Sequence, residues 1–211
     1  MSTNVFCIIG ESGSGKNFYL DKILSDKEFV SENNLDLLVY GTTRNKRSNE
    51  IDGVDYHFYS KESFDNRSRD DDNFLIEDRW YVLLDNQKVC YFTLAKFFNP
   101  LLEGKNIICT ASPDQFKSYE DYFKNKDTNV YGIRINVALR KRIESLMERA
   151  ENDNQLYEMC RRVVNEKQEF HFFNEENKNC ISINNTDFSL TENNLDIIKG
   201  FIHKIVYDSL K

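Results

Sequence analysis

Gly10-Glu11-Ser12-Gly13-Ser14-Gly15-Lys16-Asn17 follows directly on the apolar run Val5-Phe6-Cys7-Ile8-Ile9. A short, uninterrupted apolar run is the signature of a buried parallel strand. The glycines then allow backbone conformations that side chains would forbid, so several N–H groups can converge on one anion. A helix opening near Lys16 adds its positive N-terminal end to that anion site. The pattern G-x-x-x-x-G-K therefore reads as a phosphate-binding loop, with Lys16 reaching the β- and γ-phosphates of a nucleoside triphosphate. Gly10, Ser12, Gly13, Ser14, Gly15, Lys16 and Asn17 form the expected ATP site. The last position ordinarily carries a Ser or Thr hydroxyl for Mg²⁺. Here it is Asn17, whose amide oxygen is the metal ligand on offer.

Outward from the loop, apolar runs alternate with helical patterns. Leu35 to Tyr40, Asn106 to Thr110, Val130 to Val137 and Cys180 to Ile183 read as further core strands. Asp114 to Phe123, the Arg- and Glu-rich stretch Ala138 to Phe170 and the closing segment Leu195 to Leu210 read as helices. The long stretch is interrupted around Asn152-Asp153-Asn154. This alternation predicts a parallel sheet of about five strands with helices on both faces, a three-layer α/β/α fold. Ligands of such sheets sit at the carboxyl ends of the strands, which places Thr110 to Ser112 near the loop. Residues 41–64 are polar, then basic, then aromatic, and predict a small β-rich insertion. Phe74-Leu75-Ile76 and Trp80 to Leu84 read as strands, with a turn at Asp85-Asn86.

Composition narrows the classes. The 211 residues suit one α/β domain, with 40% hydrophobic and 30% charged residues. Lys and Arg number 28 against 35 Asp and Glu, a net charge of −7, which disfavours general nucleic-acid binding. No apolar stretch approaches the roughly 20 residues of a membrane span, and no signal peptide is legible, so a cytoplasmic protein is expected. The five cysteines are scattered without a C-x-x-C pair, which argues for reduced thiols rather than a disulfide framework or zinc site. His57, His171 and His203 lack an evident catalytic partner and read as structural.

A second segment supplies the chemistry: Thr42-Thr43-Arg44-Asn45-Lys46-Arg47-Ser48-Asn49-Glu50-Ile51-Asp52-Gly53-Val54-Asp55-Tyr56-His57-Phe58. Two arginines three apart suit a dianionic phosphate, because guanidinium binds it in a bidentate fork. Glu50 is placed to neutralise or orient an arginine, Gly53 permits a turn, and Tyr56 offers a hydroxyl. The full spacing, T-T-R-x-x-R-x-x-E-x-x-G-x-D-Y-x-F, resembles the monophosphate-binding segment of guanylate kinases. Together with the phosphate loop it identifies the chain as a divergent member of that family.

The resemblance implies one domain over 1–211, with a core (1–39, 96–137, 166–211), a monophosphate-binding insertion (40–95) and a helical lid (138–165). It implies ATP and Mg²⁺, a nucleoside monophosphate as the other small-molecule ligand, and a monomer or homodimer without nucleic-acid or membrane partners. Arg44, Arg47 and Tyr56 resemble the ligands of the acceptor phosphate. Glu77 is similar to the carboxylate that accepts from the guanine edge, and Tyr91 and Thr93 to the pair closing that subsite. The lid arginines, Arg149 and Arg161 foremost, resemble those that clamp the transferring phosphoryl group, and Asn184 the asparagine beside the donor adenine. Lys16, Arg44, Arg149 and Arg161 are the expected catalytic set. Three departures stand out: Tyr40 where the family has a serine touching the base, Thr110-Ala111-Ser112 where it has an acidic pair, and Asn17. Tyr40 and Ser112 therefore join the expected monophosphate site with altered chemistry. Three functions remain open on sequence: a GMP/dGMP kinase, a kinase of other or broader (deoxy)nucleoside monophosphates, and an inactive protein-binding module of the same fold.

Overall fold

A computed structural model of the chain describes residues 2–82, 87–171, 179–185 and 188–211. The side chain of His171 and the expected Asp85-Asn86 turn lie outside the described residues. In chain order the elements are β1 (Thr3–Ile9), α1 (Lys16–Ser25), α2 (Lys27–Glu32), β2 (Leu35–Leu37), β3 (Gly41–Thr42), β4 (His57–Phe58), α3 (Lys61–Asp65), β5 (Leu75–Val82) and β6 (Lys88–Leu94). A 3₁₀ segment, Ala95–Glu103, leads to β7 (Asn106–Ala111), α4 (Pro113–Phe123), β8 (Thr128–Asn136), α5 (Leu139–Arg149), α6 (Asp153–His171), β9 (Cys180–Asn184) and α7 (Thr191–Ser209). The chain divides into two compact units, 1–36 with 104–211, and 37–103.

The first unit is built on a five-stranded sheet of order β2-β7-β1-β8-β9. β1 runs parallel to both β7 and β8, with Ile8 opposite Thr110 and Ile9 opposite Arg134. β8 runs parallel to β9, with Asn136 opposite Asn184. Every residue of β1 is buried, which explains its unbroken apolar sequence. Phe6, Ile8, Ile108, Ile133, Ile135 and Ile183 of the strands pack with Tyr19 and Ile23 of α1 and Ile198 and Ile202 of α7 in one core. α4 starts on a capping box: Ser112 Oγ accepts from the Gln115 N–H, the Gln115 side chain accepts from the Ser112 N–H, and Pro113 follows the cap. α2 was not expected from the sequence. Asp26, which reads as the end of α1, also caps α2 by accepting from the Phe29 N–H at 3.1 Å, so one residue closes one helix and opens the next.

The second unit is a mixed four-stranded sheet, β4-β3-β6-β5. β3 pairs with β6 and β5 with β6 in antiparallel fashion, and β3 runs parallel to β4. The expected strands at 74–76 and 80–84 merge, over their described part, into one element, β5 (Leu75–Val82), because the polar residues between them alternate in exposure as a half-buried strand should; residues 83–84 lie outside the described residues. Phe92 is fully buried, and Tyr59, Phe64 and Phe97 pack around it with ring centroids 4.4–6.2 Å away. His57 stacks on Phe97 at 4.5 Å, and burial lowers its pKa, as befits a packing residue.

Candidate functional site

In the first unit, β1 ends at Ile9 and the chain turns through the loop into α1. Gly13 and Gly15 hold positive φ angles of 82° and 86°, and Gly15 is the N-cap residue of α1. A Cβ on Gly13 would lie 2.6 Å from the Arg142 carbonyl oxygen, so glycine is needed there for space as well as for φ. Lys16 is largely buried and turns back on the loop, donating to the Gly10 carbonyl and, at 3.2 Å, to that of Glu11. Burial pushes its pKa down to about 8, while Glu166 and Glu11 pull it up and Arg142 and Arg134 push it further down.

Four charged side chains surround the loop. Glu11 takes Arg134 Nη2 at 3.2 Å on one carboxylate oxygen and faces Arg142 Nη2 at 3.6 Å with the other. Both guanidinium groups are buried. Arg142 Nη1 also donates to the Ser12 carbonyl at 3.3 Å. Arg134 Nε donates to Asn136 Oδ1 at 2.8 Å, and its guanidinium lies 4.1 Å from the Phe170 ring centroid. From α6, the Glu166 carboxylate accepts from the Ser12 N–H at 2.7 Å and from the Ser12 hydroxyl at 2.6 Å. Ser14 Oγ and Arg142 Nε are buried with no hydrogen-bond partner among the described residues. Convergent N–H donors, a lysine, guanidinium groups and orphaned polar atoms make this an anion site, and a nucleotide polyphosphate fits it.

The metal donors are sparser. Asn17 is exposed at the start of α1. Among the described residues no group of three or more His, Cys, Asp or Glu could hold a metal ion. That set fits Mg²⁺ in its common phosphate-bound form, in which one protein ligand, phosphate oxygens and waters share the octahedron.

In the second unit, Arg44 is buried and held by hydrogen bonds from each of its three side-chain nitrogens. Its Nη1 and Nη2 donate to the two Glu50 carboxylate oxygens at 3.1 and 2.7 Å, and its Nε donates to the Tyr91 hydroxyl at 3.2 Å. The guanidinium lies 5.6 Å from the Tyr56 ring centroid and 5.7 Å from that of Phe58. Glu50 also accepts from the Arg47 N–H at 2.8 Å. The Arg44 hydrogen bonds hold the Glu50 carboxyl below its usual pKa, against the opposing effect of burial. For Arg44, burial works downward but is outweighed by Glu50 and Tyr91, so its pKa is raised. The Arg47 side chain is exposed. On the neighbouring part of the sheet, Thr93 Oγ1 donates to Glu77 Oε1 at 2.7 Å, and Arg79 Nε stands 4.0 Å from Glu77 Oε2. The register sets Glu77 opposite Thr93 and Arg79 opposite Tyr91, which puts all four on one face.

A family model described as guanylate kinase matches residues 2–79. The guanylate kinase of Mycoplasmopsis pulmonis is 29% identical over 122 residues, 56% of this chain and 59% of that protein. That of Bartonella henselae is 28% identical over 153 residues, 72% of this chain and 62% of that protein. That of Campylobacter jejuni (strain RM1221) is 32% identical over 135 residues, with 58% and 60% covered. The chain thus spans about three-fifths of the length of each of these relatives. The crystal structure of guanylate kinase from Anaplasma phagocytophilum shares the fold, with a TM-score of 0.57, 16% identity, and coverage of 97% of this chain and 87% of that one.

Over residues 2–79 the chain is similar in sequence to guanylate kinases, and it shares their fold.

Several positions to which the resemblance points take an individual form here. Asn184 is exposed at the end of β9, where Asn136 Nδ2 donates to it at 3.4 Å, while the adjacent Asn185 is buried and bonded to Tyr19 and Thr191. Ser112 spends its side-chain oxygen on the α4 cap. Tyr40 is half-buried, and its carbonyl accepts from the His57 N–H at 2.8 Å. Arg149 donates to Ser145 Oγ at 3.1 Å, and Arg161 is forked onto Glu158 at 2.8 and 2.6 Å. Arg142 and Glu166 contact the loop, and Arg134 reaches it through Glu11. Arg134 carries a signal that could have revealed it, being a charge inside an otherwise apolar strand. Glu166 carries none, since one acidic residue in an Arg- and Glu-rich helix is unremarkable in sequence. Arg79, like Glu166, carries no sequence signal, being one charge in a half-buried strand.

Proposed function

We propose that the chain transfers the γ-phosphoryl group of ATP to a nucleoside monophosphate, with GMP and dGMP as preferred acceptors. The observation that carries this reading is that each unit contributes its own pre-set cationic anion site: the glycine loop with Lys16 in one, and Arg44 oriented by Glu50 and Tyr91 in the other. Phosphoryl transfer between two nucleotides needs two phosphate seats and asks little covalent chemistry of the protein. The similarity to guanylate kinases over residues 2–79 supports the choice of acceptor.

In this mechanism the loop N–H groups and Lys16 hold the donor phosphates. Arg44 enters the reaction already aimed, because Glu50 fixes the plane of its guanidinium, so little ordering is left for the bound state. Arg47 and the Tyr56 hydroxyl complete the acceptor phosphate seat beside it. Glu77, with Thr93 holding one of its oxygens, accepts from the N1–H and N2–H edge of guanine, and Tyr91 closes that seat. Arg142 at the loop, with Arg149 and Arg161 of the lid helices, spreads the charge of the transferring group. Asn184 meets the donor adenine. Mg²⁺, held by Asn17 with phosphate oxygens and water, would neutralise charge on the donor phosphates.

Arg79 and Tyr40 favour a second reading, a broader or shifted base preference: Arg79 stands 4.0 Å from Glu77, and Tyr40 replaces the serine that the resemblance puts against the base. A panel of GMP, dGMP, AMP, CMP, UMP and dTMP with ATP separates the two. Preference for a non-guanine acceptor overturns the guanylate assignment. Absence of turnover with every acceptor, together with binding of a peptide, replaces the enzyme by a protein-binding module. Lys16→Ala should lower turnover by on the order of a hundredfold or more; unchanged activity refutes the mechanism.

A further inference from the structure

The anion seat of the phosphate loop holds an anion that belongs to the chain itself. Glu166 places one carboxylate oxygen 2.7 Å from the Ser12 nitrogen and the other 2.6 Å from the Ser12 hydroxyl. Backbone N–H and hydroxyl donors of this kind are what a nucleotide phosphate would use. Lys16 faces the same carboxylate electrostatically, and its ammonium is turned onto loop carbonyls. The contact is not isolated. Phe170, one helical turn beyond Glu166, packs against the buried Arg134 guanidinium at 4.1 Å, so α6 touches the surroundings of the loop at two points four residues apart.

We propose that Glu166 is an internal competitor for the donor phosphate, a latch that holds α6 on the loop through Ser12 and must leave when nucleotide enters. This rests on the loop being the donor site. The physical case is exclusion: the Ser12 N–H cannot serve a carboxylate and a phosphate at once, and two anions in one seat repel. Apparent donor affinity is then the intrinsic affinity scaled by the fraction of molecules in which Glu166 has let go. Release of the latch also frees the helix that carries Arg161 and Arg162, so donor binding and movement of those arginines become one event. A carboxylate placed only to brace the loop would act oppositely, since its removal would loosen the loop and weaken binding.

The test is calorimetric titration of the whole chain with the non-hydrolysable ATP analogue AMP-PNP. Glu166→Gln keeps size and removes charge; Glu166→Ala removes the acceptor altogether. Both should bind AMP-PNP more tightly than the unaltered protein, by on the order of tenfold, as expected for the loss of two charge-assisted hydrogen bonds that compete with the ligand. Glu144→Gln removes an equal charge from α5, where its partners are Arg140 and Lys141, and should leave the affinity unchanged. Unchanged or weakened binding in both Glu166 variants overturns the latch, as does an equal gain in Glu144→Gln. Lys16→Ala separates the two layers of the argument. If it weakens AMP-PNP binding while the Glu166 variants do nothing, the donor site stands and the latch falls. If AMP-PNP fails to bind, or binds independently of Lys16, both fall.

Discussion

Lys16 gives the site a pH dependence that can be worked through. Burial brings its pKa from 10.5 down to about 8 in the nucleotide-free loop. A bound polyphosphate adds negative charge beside the ammonium and raises that pKa again, so donor binding above pH 8 must take up a proton. The sign follows: affinity is full where Lys16 is already protonated and falls as pH rises through about 8. Apparent affinity tracks the protonated fraction, which is ~0.5 at pH 8 and ~0.03 at pH 9.5, a loss of about fifteenfold. The nucleotide's own last ionisation, measured by titrating the free ligand, is subtracted from the profile. The assay is titration with AMP-PNP between pH 8 and 9.5 in two buffers of different ionisation enthalpy, whose difference in apparent heat counts the proton directly. Lys16→Arg, which stays charged throughout, should show a flat profile. A flat or rising profile in the unaltered protein refutes the reasoning, because a buried lysine that contacts the phosphates cannot titrate without being felt by them. Without ligand the same shift acts on folding in the other direction. The unfolded chain holds this proton up to about 10.5, so the site opposes folding below pH 8 and that opposition is relieved as pH rises towards 10.5.

Other consequences are simpler to check. Glu50→Ala leaves Arg44 without its forked partner at 9% side-chain exposure, which should cost about 1–3 kcal/mol, seen as a lower melting temperature, and should raise KM for the monophosphate. Glu50→Gln should keep most of the stability and still raise KM, because the amide no longer fixes both Arg44 nitrogens. The cysteines divide by accessibility: Cys160 is exposed, whereas burial pushes the thiols of Cys90 and Cys180 up to about 12 and about 11, and that of Cys7 well above its usual value. A disulfide-exchange reagent at pH 8 should therefore titrate one thiol rapidly in the native protein and all five after denaturation. Rapid reaction of two or more native thiols would refute that ordering.

What was legible in the sequence was what depends on local pattern. The buried strand Val5 to Ile9, the glycine loop and the start of α1 at Lys16 follow from an apolar run and from conformations that only glycine adopts freely. The boundaries of β7, α4, β8 and β9 lie within about two residues of the expected ones, because apolar period and capping residues act locally. α2 was invisible because six residues hold too little periodicity to register. The surroundings of the loop were illegible for a different reason. Arg134, Arg142 and Glu166 reach it from β8, α5 and α6, more than a hundred residues downstream, and only the sheet order brings them there. The arginines of the lid stretch are more widely spaced than the usual pattern, and spacing on a helix does not say which side chain pairs with its neighbour. Glu158 takes Arg161 through a three-residue helical spacing.

The pairing of Arg134 with Glu11 turns this long-range placement into a test of the loop's electrostatics. β8 runs beside β1 with Arg134 opposite Ile9, so the guanidinium stands one residue before the loop begins, and Glu11 answers it from within the loop. The two removals are not equivalent. Arg134→Met leaves Glu11 facing Arg142, so the carboxylate keeps a partner and the cost should stay near 1 kcal/mol. Glu11→Gln takes the anion away from two buried guanidinium groups, each at 9% side-chain exposure; removing one partner of a buried pair costs about 3–5 kcal/mol, reduced here because an amide oxygen still accepts one hydrogen bond and Arg134 keeps its contacts with Asn136 and Phe170. The double variant should recover part of that loss, since removing Arg134 also removes the like-charge repulsion. Denaturant unfolding of the four proteins gives the cycle, with a coupling of about 1–2 kcal/mol expected. Equal costs for the two single variants, or a double variant no better than Glu11→Gln, would show that solvent rather than Glu11 holds the two arginines beside the phosphate loop.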